Sequence, residues 1–366
     1  MGLLDYYRQF EGMSEEEVNE GLRKEAAERR AKALAHVDTL DLSQTTWPAL
    51  PDPAIVSAIT YIARRGMHRY PHLSGSELRN ALAERHRIDP ARVVLGNGSA
   101  ELLSSATRAL LGPEERLLTT WPSYPLFPIM ARRAHGRAVR VSGGVAELLE
   151  EAAVDGTRVI ALASPNDPTG ELLDGAGLER LLEGLPDHVA VLLDESLVEF
   201  SDAQPTSTSI ALLEKYKRLL VFRSFSKAWG LAGLRVGYVL GGPGSEDLLA
   251  ELEPDLGVSE ISQGGALEAL RSCSDDLAKR VRAVADERER LTAAMRARGF
   301  EVSDSQANFL WAAHPDVQGD ELAGRLARAG VLVAAGSALG EPRHVRIAIH
   351  GPAASARLLD ALAKAL

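Results

Sequence analysis

Ser224-Phe-Ser-Lys-Ala-Trp-Gly-Leu-Ala-Gly-Leu-Arg-Val-Gly-Tyr238 is the stretch on which the reading of this chain turns. It follows an apolar run, Leu219–Arg223, and leads into another, Val236–Leu240. The spacing predicts a buried strand, a glycine-bearing loop and a second buried strand. Lys227 stands directly after the first strand among small and apolar residues. Such surroundings lower an amine's pKa and free it for Schiff-base chemistry. Ser224 and Ser226 flank it, and Arg235 lies eight residues on. Arginine is always charged and can grip a phosphate through two parallel hydrogen bonds. A lone lysine in a Ser-x-Ser-Lys setting is ordinary; its combination with Arg235 is specific.

Outward from this stretch, short apolar runs alternate with helical segments. Strands are expected at Arg92–Leu95, Arg116–Thr120, Ala138–Ser142, Val159–Ala163, Val189–Asp194, Leu219–Arg223 and Val236–Leu240. Several are almost wholly apolar, as strands buried on both faces are. Helical spacing fills the intervals, as in Ser99–Leu111 and Gly177–Leu185. The alternation predicts an α/β layered domain around a mostly parallel central sheet. After Gly241-Gly-Pro-Gly244 the texture changes to helices, followed by short strands at Phe300–Ser303, Phe309–Ala312, Val331–Val333 and Val345–Ile349. That pattern suggests a smaller α+β C-terminal domain. The expected division is 1–47 as an N-terminal helical arm and substrate-side segment, 48–244 as the large domain, and 245–366 as the small one. In the arm, Ser14 and Glu17 form a capping box, and Glu20–Lys24, Glu25–Arg29 and Glu28–Lys32 are oriented i,i+4 pairs. A further helix is expected over Pro53–Arg64.

Composition limits the function. The 366-residue chain carries a formal net charge of −10, which argues against general affinity for nucleic acid or anionic membranes. Its one cysteine, Cys273, excludes a disulfide framework within the chain and a cysteine-rich metal site. The histidines show no ligand spacing, so no metal is expected. No uncharged stretch is long enough to span a bilayer, and Met1–Phe10 has no basic-then-apolar leader pattern, so a soluble cytoplasmic protein is expected.

Three more loops sit where open α/β sheets hold ligands, at the carboxyl ends of strands. Gly96-Asn-Gly-Ser-Ala-Glu101 leaves a strand and opens a helix, a place where backbone amides and the helix dipole favour a phosphate. A tight strand-to-helix turn would read the same. Ser164-Pro-Asn-Asp-Pro-Thr-Gly170 is a rigid turn from which Asn166 or Asp167 projects. Val191-Leu-Leu-Asp-Glu195 ends an apolar run in two acids. A carboxylate there is costly unless paired, and a pyridinium nitrogen is one such partner. A capping role for Asp194 explains it equally well.

In this order the four loops resemble the fold-type-I pyridoxal-phosphate aminotransferases of class I/II, and most of all their histidinol-phosphate aminotransferase branch. The likeness runs over roughly 38–366. It implies pyridoxal 5′-phosphate as cofactor, a small-molecule amino donor and keto-acid acceptor, and a homodimer with shared sites. It also implies roles. Lys227 would form the imine with the cofactor and move the substrate's Cα proton. Asp194 would pair with the pyridinium nitrogen. Ser99, Ala100, Ser224, Ser226 and Arg235 would hold the phosphate, and Tyr124 would stack on the ring. Tyr70, in Arg69-Tyr-Pro71, would reach the neighbouring subunit's phosphate. Arg346 would clamp a substrate carboxylate. Asn308 would lie on the substrate side. Trp47, read from the sequence alone, is equally a core residue or a wall of the substrate site.

The chain departs from the family pattern in three places. The position before Pro-Thr-Gly, usually asparagine, is Asp167, with Asn166 one residue earlier. The tyrosine usual three residues after the sheet-end aspartate is Leu197. Both usual groups hydrogen-bond the ring O3′. Ser43-Gln-Thr-Thr-Trp47 replaces an Asn-Glu-Asn type of segment. A lyase similar to the threonine-phosphate decarboxylases, which also lack that tyrosine, stays open as an alternative. A cofactor-binding regulator is disfavoured because no basic helix-turn-helix extension is present. A Rossmann dehydrogenase is disfavoured because no strand–GxGxxG–helix is present.

Overall fold

The computed structural model describes residues 39–72 and 75–366, with Lys24 and Glu28 as isolated positions. The capping box at Ser14 and the charge pairs around it lie outside the described residues. Among the described residues no helix is long and apolar enough to cross a membrane.

The described residues form thirteen strands. β1 is Leu40–Asp41, β2 Val93–Gly96, β3 Arg116–Thr120, β4 Arg137–Val141, β5 Thr157–Ala163, β6 Ala190–Asp194, β7 Leu219–Ser224 and β8 Gly237–Gly241. Then come β9 Glu301–Val302, β10 Phe309–Ala313, β11 Val331–Leu332, β12 Ala334–Ala335 and β13 His344–Ala348. The central sheet has seven strands in the order β2-β8-β7-β6-β5-β3-β4. It is parallel throughout except for β8, which runs antiparallel to both β2 and β7. This is the α/β fold of the sequence reading, with strand ends displaced by a residue or two.

The continuous apolar runs have their reason in two separate cores. Alternate residues of one strand face opposite sides. Leu192, Leu220, Phe222 and Val239 pack with helices Ser99–Leu110 and Leu126–Arg133 on one face. Leu193, Val221, Tyr238 and Leu240 pack on the other, in a core that continues through helix Ser274–Arg296 into the C-terminal strands. Neither face is free for water, so neither set can be polar.

The C-terminal part holds an antiparallel sheet in the order β12-β13-β10-β9. The strand expected at Val331–Val333 is seen as β11, one residue shorter, and a second short strand, β12, follows it. β11 pairs in parallel with β1, and after Val333 the chain changes partner, β12 pairing with β13. The N-terminal segment is thereby clipped to the C-terminal sheet, with Leu42 N donating to Leu332 O and Ala348 N donating to Leu42 O. This anchorage delivers residues 43–47 to the ends of the parallel strands.

Beneath those ends lies a buried charged cluster. Arg223 and Glu195 sit on the sheet face opposite Asp194 and Ser224, and both side chains are only 4% exposed. Arg223 Nε and Nη2 donate to Glu195 Oε2 at 3.0 and 2.7 Å, and Nη2 also donates to Thr206 O. Tyr238, the cross-strand neighbour of Arg223, has its hydroxyl 3.0 Å from His86 Nε2. Burial, followed by the positive charge of Arg223 and Arg85, lowers the His86 pKa from 6.5 to about 3. The folded value lies below the unfolded one. His86 therefore favours the fold fully above pH 6.5, and that contribution is lost as pH falls toward about 3. The loss is at most about 1.4 kcal/mol per pH unit. In urea unfolding between pH 6.5 and 4, His86→Gln is expected to lose stability less steeply than the parent; parallel curves would remove His86 from the acid limb.

Candidate active site

A cavity of about 200 Å³ opens at the carboxyl ends of β5, β6 and β7. Its walls include Ser99, Ala100, Tyr124, Asp167, Asp194, Ser224, Ser226, Lys227 and Arg235. The four loops singled out in the sequence thus meet in one place.

Lys227 follows the last residue of β7 by three positions. Its Nζ donates a hydrogen bond to Thr45 Oγ1, across 182 residues of chain. Burial lowers its pKa most, Arg346 and Arg235 lower it further, and Asp167 and Asp194 oppose the shift. The amine is therefore held more readily neutral than a surface lysine. Asp194 closes β6 and is 8% exposed. One Oδ accepts from Ser196 N at 2.9 Å. Burial raises its pKa, opposed by the Ser196 hydrogen bonds and by the charge of Lys227. A carboxylate so placed favours a cationic partner. Tyr124 stands edge-on to Phe127, with ring centroids 5.6 Å apart, and burial next to Asp194 raises its pKa to about 12.

The far end of the cavity is a cradle. Helix Ser99–Leu110 starts after Gly98 with no side-chain cap, so its first amides keep their hydrogen-bonding capacity. Arg235 folds over this start in a left-handed conformation, φ 53°, its Nη1 3.3 Å from Ser226 Oγ and its Nη2 3.4 Å from Asn97 O. Ser224 Oγ accepts from Ser226 N at 3.0 Å. Two glycines permit this crowding. A Cβ on Gly98, which has φ +91°, would lie 2.3 Å from Arg235 Nη2, and one on Gly237 would lie 2.2 Å from Ser99 N. Uncapped amides, hydroxyls and a guanidinium converging on one point suit a phosphate dianion.

The opposite end differs from the expectation. Asp167, not Asn166, faces the cavity. Asn166 is turned behind the loop, its Oδ1 accepting from Ser123 Oγ at 2.7 Å and its Nδ2 donating to Pro122 O and Thr169 Oγ1. Those bonds leave its side chain no reach toward the cavity. Asp167 Oδ1 instead takes Arg346 Nη1, while Arg346 Nη2 donates to Ser43 O at 3.0 Å. Leu197 lines the cavity where the family tyrosine would stand. Asn308 does not line it. Its Nδ2 donates to Thr45 O at 3.0 Å and so fixes the residue that holds Lys227. Trp47 is also outside the lining. Its ring packs under Arg280, 4.7 Å from the guanidinium carbon, while Thr46 takes the place at the wall. Tyr70 is 82% exposed and belongs to no part of this cavity in the single chain.

Residues 37–366 match the family model described as aminotransferase class I and II. The chain belongs to that family. The aminotransferase is 34% identical over 330 residues to an aromatic amino acid aminotransferase of Corynebacterium efficiens, covering 88% of this chain and 92% of the relative. It is 33% identical over 321 residues to histidinol-phosphate aminotransferase 1 of Nitrosococcus oceani, covering 86% and 85%. Among solved structures, histidinol-phosphate aminotransferase from Sinorhizobium meliloti, in complex with pyridoxal-5′-phosphate, superposes with a TM-score of 0.82 at 25% identity, covering 91% of this chain and 93% of that one. The fold is that of the fold-type-I enzymes, and pyridoxal phosphate is the cofactor. The residues present fit it: the glycine-lined cradle suits its phosphate, buried Asp194 its ring nitrogen, and the amine of Lys227 its aldehyde.

Thr45, Thr46 and Ser196 were not among the expected site residues. The polar run Ser43–Thr46 signalled that the segment mattered, but nothing local distinguished its threonines from Trp47. Ser196 Oγ lies 3.0 Å from Ser99 Oγ and ties the β6 loop to the phosphate cradle.

Proposed function

We propose that this aminotransferase moves the amino group of an amino acid or amino-acid-like amine to a keto acid, with Lys227 as its covalent anchor and proton carrier. The single observation behind the reading is the convergence of Lys227, Asp194 and the Ser226–Arg235 cradle on one cavity. Pyridoxal phosphate, when bound, supplies an electron sink for the carbon next to the amine. In this reading Ser99, Ala100, Ser224, Ser226 and Arg235 grip its phosphate, Asp194 keeps a proton on the ring nitrogen, and Tyr124 supports the ring. Lys227, held by Thr45, takes a proton from the substrate carbon and returns it elsewhere. Arg346 offers the substrate a polar contact, and Asn308 positions Thr45. The named relatives make aromatic amino acids and histidinol phosphate the first donors to try.

The reading includes a homodimer in the cytoplasm. Support for the dimer comes from a run of exposed apolar side chains, Leu50, Val56, Tyr61, Met67 and Tyr70, grouped within one short stretch. It also includes the division 48–244 and 245–366, consistent with one sheet built from residues 93–241 and another from residues 301–348.

Holoenzyme mixed with single amino donors, without acceptor, tests the central claim. At least one donor is expected to bleach the visible cofactor band and yield pyridoxamine phosphate by chromatography. Asp167 and Leu197 on the O3′ side favour a second reading, a non-transaminating lyase. Consumption of a donor with no pyridoxamine phosphate formed would select it.

A further inference from the structure

Arg346 stands behind Asp167, which lines the cavity, and it already has that residue as its anion. Asp167 Oδ1 lies 2.5 Å from its Nη1, with the two side chains 14% and 12% exposed. Its Nη2 is spent on Ser43 O, and its guanidinium carbon lies 5.4 Å over the Phe309 ring. Three elements therefore hold the guanidinium: the loop after β5, the segment after β1, and strand β13 against β10. A charge pair this sheltered is weakly screened, and its net charge is zero.

We propose that Asp167 is a specificity-determining residue that neutralises Arg346 from within the chain and so weakens the site's hold on a carboxylate at the amino carbon, relative to a neutral group there. This deepens, and rests on, the amino-transfer reading above. A neutral amide at this position would leave Arg346 an uncompensated buried cation, and a substrate carboxylate would be its natural counter-ion. With Asp167 in place, an incoming carboxylate has no unpaired charge to meet. It would bring a second anion against Asp167, and like charges held close in a sheltered site repel strongly. A donor whose amino carbon bears a neutral group, such as a hydroxymethyl, avoids that repulsion. It can still use the remaining N–H groups of Arg346 as hydrogen-bond donors. Asp167 also faces Lys227, so the positively charged amine of an arriving donor is attracted to the same carboxylate.

Matched pairs of probes isolate the effect. L-phenylalanine and L-phenylalaninol, and L-leucine and L-leucinol, differ only at the carboxylate, so the ratio of dissociation constants within a pair cancels the side chain. Binding is read from the shift of the holoenzyme's visible band. The parent protein is expected to bind each alcohol at least as tightly as its acid. Asp167→Asn is expected to move the ratio about 10- to 100-fold toward the acid. Adding Arg346→Gln to that variant should cancel the gain. A ratio that changes by less than about twofold in Asp167→Asn overturns the proposal while leaving amino transfer intact. If Asp167→Asn does not fold, the parent's own ratio decides, and acids bound more tightly than their alcohols overturn it. If the cofactor binds but no acid or alcohol perturbs its band, the amino-transfer reading falls too.

Discussion

Lys227→Ala is expected to lose turnover by about 10²–10⁴-fold from proton transfer alone, and by more because the covalent anchor is gone as well. The loss should appear in kcat, since the variant keeps Asp194, Ser226 and Arg235 and with them most of the grip on the cofactor. The physical basis is the position of the amine. It is drawn from water by burial, which favours its neutral nucleophilic form, and is aimed by Thr45 Oγ1. Borohydride treatment followed by mass spectrometry gives an independent readout. The parent should carry the reduced cofactor on Lys227, and the variant should carry none. A variant that retains the tag, or that turns over at the parental rate, would remove Lys227 from the chemistry. Lys227→Arg is expected to behave similarly, because a guanidinium remains charged and is not a nucleophile.

Glu195→Ala is expected to cost about 3–5 kcal/mol of folding stability. That is a large part of the 5–15 kcal/mol typical of a whole domain. The removed carboxylate is the only side chain that pairs with Arg223 among the described ion pairs, and Arg223 is 3% exposed. Its guanidinium would be left in the core with Thr206 O as a partner but no carboxylate in ion-pair contact among the described residues, Glu199 acting on it only from farther away. The charge is locked in, because burial opposes it but Glu195 and the neighbouring groups hold the Arg223 pKa above its ordinary value. Glu195→Gln combined with Arg223→Met should recover much of the loss, since a neutral pair leaves no orphaned charge. Urea unfolding of the three proteins checks both statements; a cost below about 1 kcal/mol for the single variant would refute the first. The pair lies directly behind Asp194 and Ser224 on the same two strands, so the single variant is also expected to bind pyridoxal phosphate more weakly.

Much of the fold was legible because buried parallel strands advertise themselves. Runs such as Val191-Leu-Leu193 and Leu219-Leu-Val-Phe222 must be apolar on both faces, and a polar residue ending such a run marks the rim where ligands bind. Lys227, Asp194 and the helix start at Ser99 were readable for that reason. Strand ends were less so: β12 exists only because the chain changes partner after Val333, and partners are not written locally.

The α/β architecture and the family were legible in the sequence, as were the residues that the structure gathers at the cradle end of the cavity. The opposite end of the cavity was not legible and is set by tertiary contacts. Adjacent residues in the Asn166-Asp167 turn compete to face the cavity, and the contest is settled by Ser123 and Thr169 capturing Asn166. The pairing of Asp167 with Arg346 spans 179 residues, and that of Lys227 with Thr45 spans 182. Contacts of that length depend on how one sheet is clipped against another through β1 and β11. No local pattern of residues encodes that arrangement, because it is the packing of the whole chain that brings those side chains within hydrogen-bonding distance.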